Sequence, residues 1–292
     1  LEGLLSYQEE QATLKLKDTR LKIQDLDLPI LGSVTHVSTS PRFDLSVASD
    51  AVDAKSVWQI LSAFAFTPRD MEVAGLMGLR IKLTGPSSSP VTEARGLFKD
   101  VRVAGKRALK GKLKGEVFIQ LPVGGGSMTR RLQGNGKVAV SDGALTNAEL
   151  IKKVQQVAGM IGLSKEQGRE ATTFKTLETE FTLADGLASF KRIYMVNPQL
   201  EADGAGTMTL DEQVLNLALE TVLSAQASAR SRGAKAAAFF KDSRNRVVVP
   251  LKITGPVANP AVNLDTEKLA QKGMGRSLEK NLDSLLKQKF RR

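Results

Sequence analysis

The chain is predicted to be mainly β: a long, twisted antiparallel sheet with peripheral helices, curled into an open apolar groove or incomplete barrel. Two observations carry this. Apolar and polar residues alternate at period two in many short runs, the pattern of half-buried antiparallel strands. One phrase also occurs twice. Ile81-Lys82-Leu83-Thr84-Gly85-Pro86, with Pro90 beyond, and Leu251-Lys252-Ile253-Thr254-Gly255-Pro256, with Pro260 beyond, each run an alternation into Thr-Gly-Pro and stop. Glycine opens unusual dihedrals and proline has no N–H for the ladder, so both phrases read as strand exits. The second proline keeps each exit extended.

The strands follow in order. Leu14/Leu16, Leu21/Ile23, Leu26/Leu28/Ile30 and Phe43/Leu45/Val47 come first, then Leu79/Ile81/Leu83, Val101/Val103 and Val117/Ile119/Leu121. Val138/Val140, Phe181/Leu183, Ile193/Met195, Met208/Leu210, Leu215/Leu217/Leu219 and Val247/Val249/Leu251/Ile253 follow. Ser141-Asp142-Gly143, Asp185-Gly186 and Asp203-Gly204 read as the turns between strands. Phe118, Tyr194 and Val196 put apolar mass on the second face. That calls either for helices on the back or for a sheet curled around something apolar.

Four helical segments interrupt the strands. Asp53 is placed to cap a helix from Ala54 to about Phe66, with Val57, Ile60, Leu61 and Phe64 on one face. Thr146 or Asn147 caps a second, running to about Ile161, with Leu150, Ile151, Val154, Val157 and Ile161 aligned. Ser49-Asp50 and Ser141-Asp142 precede the two in the same way, a second sign that the halves are related. Ser224 to Lys241 is compatible with helix or loop, and a last helix is expected from about Asp265 to Phe290. Leu278, Leu282, Leu285 and Leu286 give that helix an apolar stripe amid basic residues. Gly124-Gly125-Gly126 marks the seam, giving a first β unit over 1–123, a second over 127–264 and the terminal helix over 265–292.

Composition narrows function. With 292 residues there is ample core for one large or two ordinary domains. Aromatics are 5%, so the apolar mass is smooth and aliphatic. The absence of cysteine excludes disulfides and thiolate metal sites. No run reaches the roughly 20 apolar residues of a membrane span. The chain starts at Leu without a signal peptide, and is read as a piece of a longer protein. A net charge of +11 favours an anionic partner.

Leu132-Gln-Gly-Asn-Gly-Lys-Val-Ala-Val-Ser-Asp-Gly143 resembles the opening of the C-terminal region of the AsmA-like family. Thr173-Phe174-Lys-Thr-Leu177, Phe181-Thr-Leu-Ala-Asp-Gly186, Asn197-Pro198, Gly204-Ala-Gly206-Thr-Met-Thr-Leu-Asp211 and Val249-Pro250 through Pro260 continue in the same order. Pro41-Arg-Phe-Asp-Leu45 and the first Thr-Gly-Pro exit look like the preceding stretch. The resemblance implies a bacterial envelope protein, periplasmic and tethered to the inner membrane by an N-terminal helix. It implies a β-groove with an aliphatic interior, and a role in phospholipid transport or homeostasis between inner and outer membranes. No catalytic residue carries over.

The candidate acyl-chain groove is lined by Leu79, Ile81, Leu83, Val117, Ile119, Leu121, Val138, Val140, Phe181, Leu183, Leu215, Leu217, Leu219, Val249, Leu251 and Ile253. Read by periodicity alone, the same residues are ordinary core. Candidate contacts for anionic headgroups are Arg102, Lys106, Arg107 and Lys110 in one cluster and Arg230, Arg232 and Lys235 in another, with a solvated hairpin tip as the plain alternative. Nucleic acid fits poorly, because no aromatics interleave with the bases. Gly124–Gly126 and Gly204-Ala-Gly206 fit no phosphate-loop fingerprint and read as turns. His36 is the sole histidine and has no metal-site neighbourhood. The expected function is therefore non-enzymatic, without cofactor: sheltering acyl chains of a phospholipid or related lipid, with other envelope proteins as possible partners. The alternative is an envelope assembly factor whose groove is simply a filled core.

Overall fold

A computed structural model describes residues 2–8, 12–23, 25–63, 71–105, 109–160, 173–230 and 240–271. Strands make up 67% of it, so the β prediction holds against helix by a wide margin. The strands are β1 (Glu2–Gln8), β2 (Thr13–Ile23), β3 (Leu26–Thr35), β4 (Arg42–Asp53), β5 (Met71–Ala74), β6 (Leu76–Pro86), β7 (Val91–Gly105) and β8 (Leu109–Pro122). After them come β9 (Gln133–Leu145), β10 (Thr173–Ala184), β11 (Leu187–Val196), β12 (Leu200–Thr209), β13 (Val214–Leu223), β14 (Val248–Pro256) and β15 (Ala261–Leu264). The described helices are α1 (Ala54–Ala63), α2 (Met128–Arg131), α3 (Ala148–Met160), α4 (Ala225–Arg230) and α5 (Thr266–Gln271).

All strands join one antiparallel sheet in chain order, except that β5 prolongs the line of β6 along β7. The glycine seam does not interrupt it, because β8 and β9 pair from Gln120↔Gln133 to Leu109↔Leu145. The sheet is open, with β1 and β15 at its two edges. Up-and-down order sorts the connections onto two rims. One rim carries short links, including the Thr-Gly-Pro turns, and the small helix α2. The other carries α1, α3, α4 and α5, each entered from the end of a strand.

The two Thr-Gly-Pro exits have the same local structure. Gly85 and Gly255 sit at φ +100° and +89°, values costly for a residue with a Cβ. Ser89 N–H donates to Pro86 O at 3.0 Å, and Asn259 N–H to Pro256 O at 2.9 Å. Ser87 N–H reaches back to Pro41 O, and Val257 N–H to Gln213 O, in each case just before the preceding strand of the sheet.

Helix starts are fixed by side chains. Asp53 Oδ2 accepts from Ser56 N–H at 2.9 Å and Ser56 Oγ–H at 2.7 Å, capping α1. Asn147, not Thr146, caps α3 through Oδ1 to Leu150 N–H at 3.0 Å. Ser224 and Asp265 cap α4 and α5. The expected reach of the first helix to Phe66, that of the second to Ile161, and the amphipathic stripe from Leu278 onward lie outside the described residues.

Asn147 also closes the curl. Its Nδ2 donates to Val257 O at 3.0 Å, in the turn between β14 and β15. Five strand steps separate β9 from β14, roughly 24 Å in a flat sheet. Asn147 stands two residues beyond the end of β9 on the helix-bearing rim, and Val257 is at the other rim, so the sheet must twist as well as bend to bring them together. The same bend lays α3 against β15.

Two cores result. In the first, Val57 of α1, with Trp58, Ile60 and Leu61, packs on Leu16, Leu28, Ile30, Val47, Met77 and Leu79. In the second, Val157 of α3, with Leu150 and Val154, packs with Leu223, Phe240, Val249, Leu251, Ile253 and Val262.

Asn147→Ala removes a helix cap and the clasp together, and leaves the Val257 carbonyl short of a donor. The expected cost is about 2 kcal/mol, read as a lower urea midpoint. The Asp53 carboxyl is held below its ordinary range, first by the Ser56 hydroxyl and then by the Ser56 amide. A depressed carboxyl pKa contributes stability that is present above the unfolded value, near 4, and lost as pH falls through the folded value. The melting-temperature gap between wild type and Asp53→Ala should therefore be full at pH 6 and narrow by pH 3.

Candidate functional site

Every residue proposed for the groove stands on one face of the sheet. Cross-strand partners share a face, so the register traces it directly. One row runs Leu79, Gly96, Val117, Gly136, Phe181, Phe190, Gly206, Leu217, Ile253 across β6 to β14. The next runs Ile81, Ala94, Ile119, Gly134, Leu183, Ala188, Met208, Leu215. Leu83, Thr92 and Leu121 begin a third, and Val138, between Gly115 and Thr179, belongs to a fourth.

This face is covered unevenly. Leu79 and Val140 are buried in the α1 core, with Ile81 packed against it. Val249, Leu251 and Ile253 are buried in the α3 core, and Leu215, Leu217 and Leu219 pack on that core. These residues take part in the two helix-packed cores. Leu83, Val117, Ile119, Leu121, Val138, Phe181 and Leu183 belong to neither core and are half-buried. They form a central apolar panel on β6 and β8 to β10, while α1 packs chiefly on β4 and β5, α3 on β15, and the four-residue α2 touches β8.

Phe181 and Phe190 mark its middle. Their rings meet edge to face, centroids 6.3 Å apart and planes at 62°, a pairing worth about 0.5–1.5 kcal/mol beyond area burial. Gly136 makes room for them: a Cβ there would lie 2.6 Å from Phe181 Cζ. Gly206 lets β12 approach β13 closely at the next position. The turn reading of Gly204-Ala-Gly206 is therefore corrected. Both glycines lie inside β12, and Asp203 with them, its carboxylate paired to Arg192 at 2.9 Å. Ser141-Asp142-Gly143 is also not a turn but an irregularity within β9, with Asp142 at φ +49°. Asp185-Gly186 is the hairpin turn expected.

Phe190, Ala188 and Met208 complete the panel and were not among the sequence candidates. The register of β11 shifts between Phe190 and Ile193, so its alternation changes phase where Phe190 would have announced itself.

The opposite face is polar. Its aromatics need no helix over them, because Arg95 lies 5.9 Å above Phe118 and Arg192 lies 4.4 Å above Tyr194. Charges alternate across strands in the register Glu116, Lys137, Glu180, Arg192. They border a shallow cleft of about 710 Å³ together with Lys99, Lys114 and Glu178. Arg102 and Lys110 are exposed on this polar face, away from the panel. Lys106, Arg107, Arg232 and Lys235 lie outside the described residues, and Arg230 ends α4. His36 sits exposed in the turn after β3, beside Thr35.

No group of three or more potential metal ligands occurs among the described residues. None of the described helices is long and apolar enough to cross a membrane. No protein-family model matches the chain. Nor does any curated protein or solved structure.

Gly136→Ala is expected to displace the Phe181 ring and lower stability by about 1–3 kcal/mol. Gly125→Ala, with open space around its Cβ, should change the urea midpoint little.

Proposed function

We propose that this protein binds the acyl chains of a phospholipid or similar lipid on the central panel of its sheet, without catalysis. The observation that carries the reading is an apolar face running across a curled sheet, packed by α1 and α3 toward its flanks, with neither of these two helices packed chiefly on the strands between. Each methylene removed from water contributes roughly 0.8 kcal/mol. A chain laid along Val117, Ile119, Phe181, Leu183 and Phe190 would thus be held without any directional contact, while its headgroup stays wet. Contiguous apolar area left partly open to water is unfavourable, and a bound chain would complete its burial. A periplasmic setting, an inner-membrane tether and a part in lipid movement between the two envelope membranes rest on the AsmA-like resemblance.

A second reading has an observation of its own. The α1 and α3 cores fill the flanks with side chains, as an envelope assembly factor with no cargo would. The two readings differ over the central panel alone.

Purified protein incubated with phospholipid vesicles and recovered by gel filtration should carry lipid detectable by native mass spectrometry. Leu183→Asp and Phe190→Asp, each checked by circular dichroism, should come away empty. A photo-crosslinker at residue 183 should label acyl chains, and one at the outward-facing residue 191 should not. Bare protein after incubation, or folded Asp variants that still load, would refute the cargo reading.

A further inference from the structure

Over much of the polar face a basic side chain meets an acid across the strands or beside it, as Lys137 meets Glu116 and Glu180 in register and as Arg80, itself opposite Arg95, meets Asp50 at 3.0 Å. On the β7–β8 hairpin, Arg102 stands directly opposite Lys112, and Lys99 directly opposite Lys114. Lys110 extends the same row of β8. All five are exposed. Like charges in direct cross-strand register repel.

The flanking strands set few acids against them: Glu72 of β5 shares this face, one row from Ala74 and opposite Ala104. The residues across from these cations are Ala74 on β5, Ala104 on β7, and Ala139, Ser141 and Ala144 on β9. Asp100 pairs with Lys114 at 3.1 Å, and Asp142 reaches Lys112 only at 4.0 Å. Among the described residues, Lys99, Arg102 and Lys110 have no carboxylate within ion-pair distance. The opposite side of the same hairpin is firmly anchored, with Val101 fully buried and Val103 nearly so. The cations are therefore displayed on a rigid support rather than on a loose loop, at the rim that carries the helices.

We propose that this hairpin is an electrostatic docking surface for an anionic phospholipid bilayer, separate from the apolar panel. An array of lipid phosphates supplies the charge that the fold withholds, and it suits a row of point-charge lysines that no aromatic side chain interrupts. Basic residues at a membrane surface act additively and are screened within a Debye length. Docking this rim sets how the sheet stands relative to the membrane. It does not depend on the cargo reading.

The test is co-sedimentation of the full chain with vesicles of phosphatidylcholine alone or with 30% phosphatidylglycerol. The expected result is binding to the anionic vesicles only, lost in 0.5 M salt. The triple variant Arg102→Glu, Lys110→Glu, Lys112→Glu should bind roughly tenfold less tightly or worse. The control triple Lys17→Glu, Lys191→Glu, Lys252→Glu, with the same change in net charge, should keep most of the binding. Arg102→Glu alone sets a carboxylate against Lys112, so its melting temperature should rise while vesicle binding falls severalfold. Phe190→Asp should dock as the wild type does, so that cargo and docking fail separately. Equal losses in both triples, no binding to anionic vesicles, unchanged binding in Arg102→Glu, or tighter binding to a single-stranded RNA of similar charge would each overturn the proposal.

Discussion

Everything in this molecule depends on one constraint: an apolar residue on one strand must find its neighbours on the same face of the next. Side chains alternate with period two, so a slip of one residue would turn a whole strand inside out. Along a path of fourteen strands the structure keeps that phase, and where a strand must bend it pays for the bend with an extra residue. The shift between Leu16 and Thr19 in β2 carries Asp18 at φ +50°. That between Lys99 and Val101 in β7 carries Asp100 at φ +104°. Short polar residues tolerate such conformations better than β-branched ones. Each bulge lets the apolar row continue, from Leu16 to Thr19 and Leu21, and from Phe98 to Val101.

The bulges also explain how function can divide between two faces. A bulge increases local twist, and enough of them let a sheet of this width curl until Asn147 reaches Val257. Curling gathers the apolar rows inward, with α1 packed chiefly on β4 and β5 and α3 on β15. On the outside lie the charged residues, several of which meet opposite charges in register. Asp100 and Asp142 do both jobs at the β7–β8 hairpin. They turn the backbone, and they supply the few carboxylates that its lysines meet.

Much of this was legible in the residues. The paired Thr-Gly-Pro phrase identified two strand exits that share their turn and their backbone bonds. The cap at Asp53 followed from local chemistry alone, and the choice between Thr146 and Asn147 was settled by which side chain reaches Leu150 N–H. The groove candidates fall together on one face because alternation survives within each strand segment. Three things were not legible. The phase changes hid Phe190, whose next face-mate Ile193 is three residues on. Glycines that relieve crowding inside strands, such as Gly204 and Gly206, look in sequence like turns. The division of the face into the α1 and α3 cores and the panel between them depends on where α3 crosses the sheet. That crossing is set by a contact 110 residues apart in the chain.

The central claim is that the panel around Phe181 and Phe190 is a surface for acyl chains rather than a core awaiting cover. Native mass spectrometry of the intact protein after exposure to phospholipid vesicles tests it most directly, with Phe190→Asp measured alongside. The account predicts lipid-sized mass additions on the wild type and none on the folded variant. Additions absent from both, or equally present on both, would contradict it.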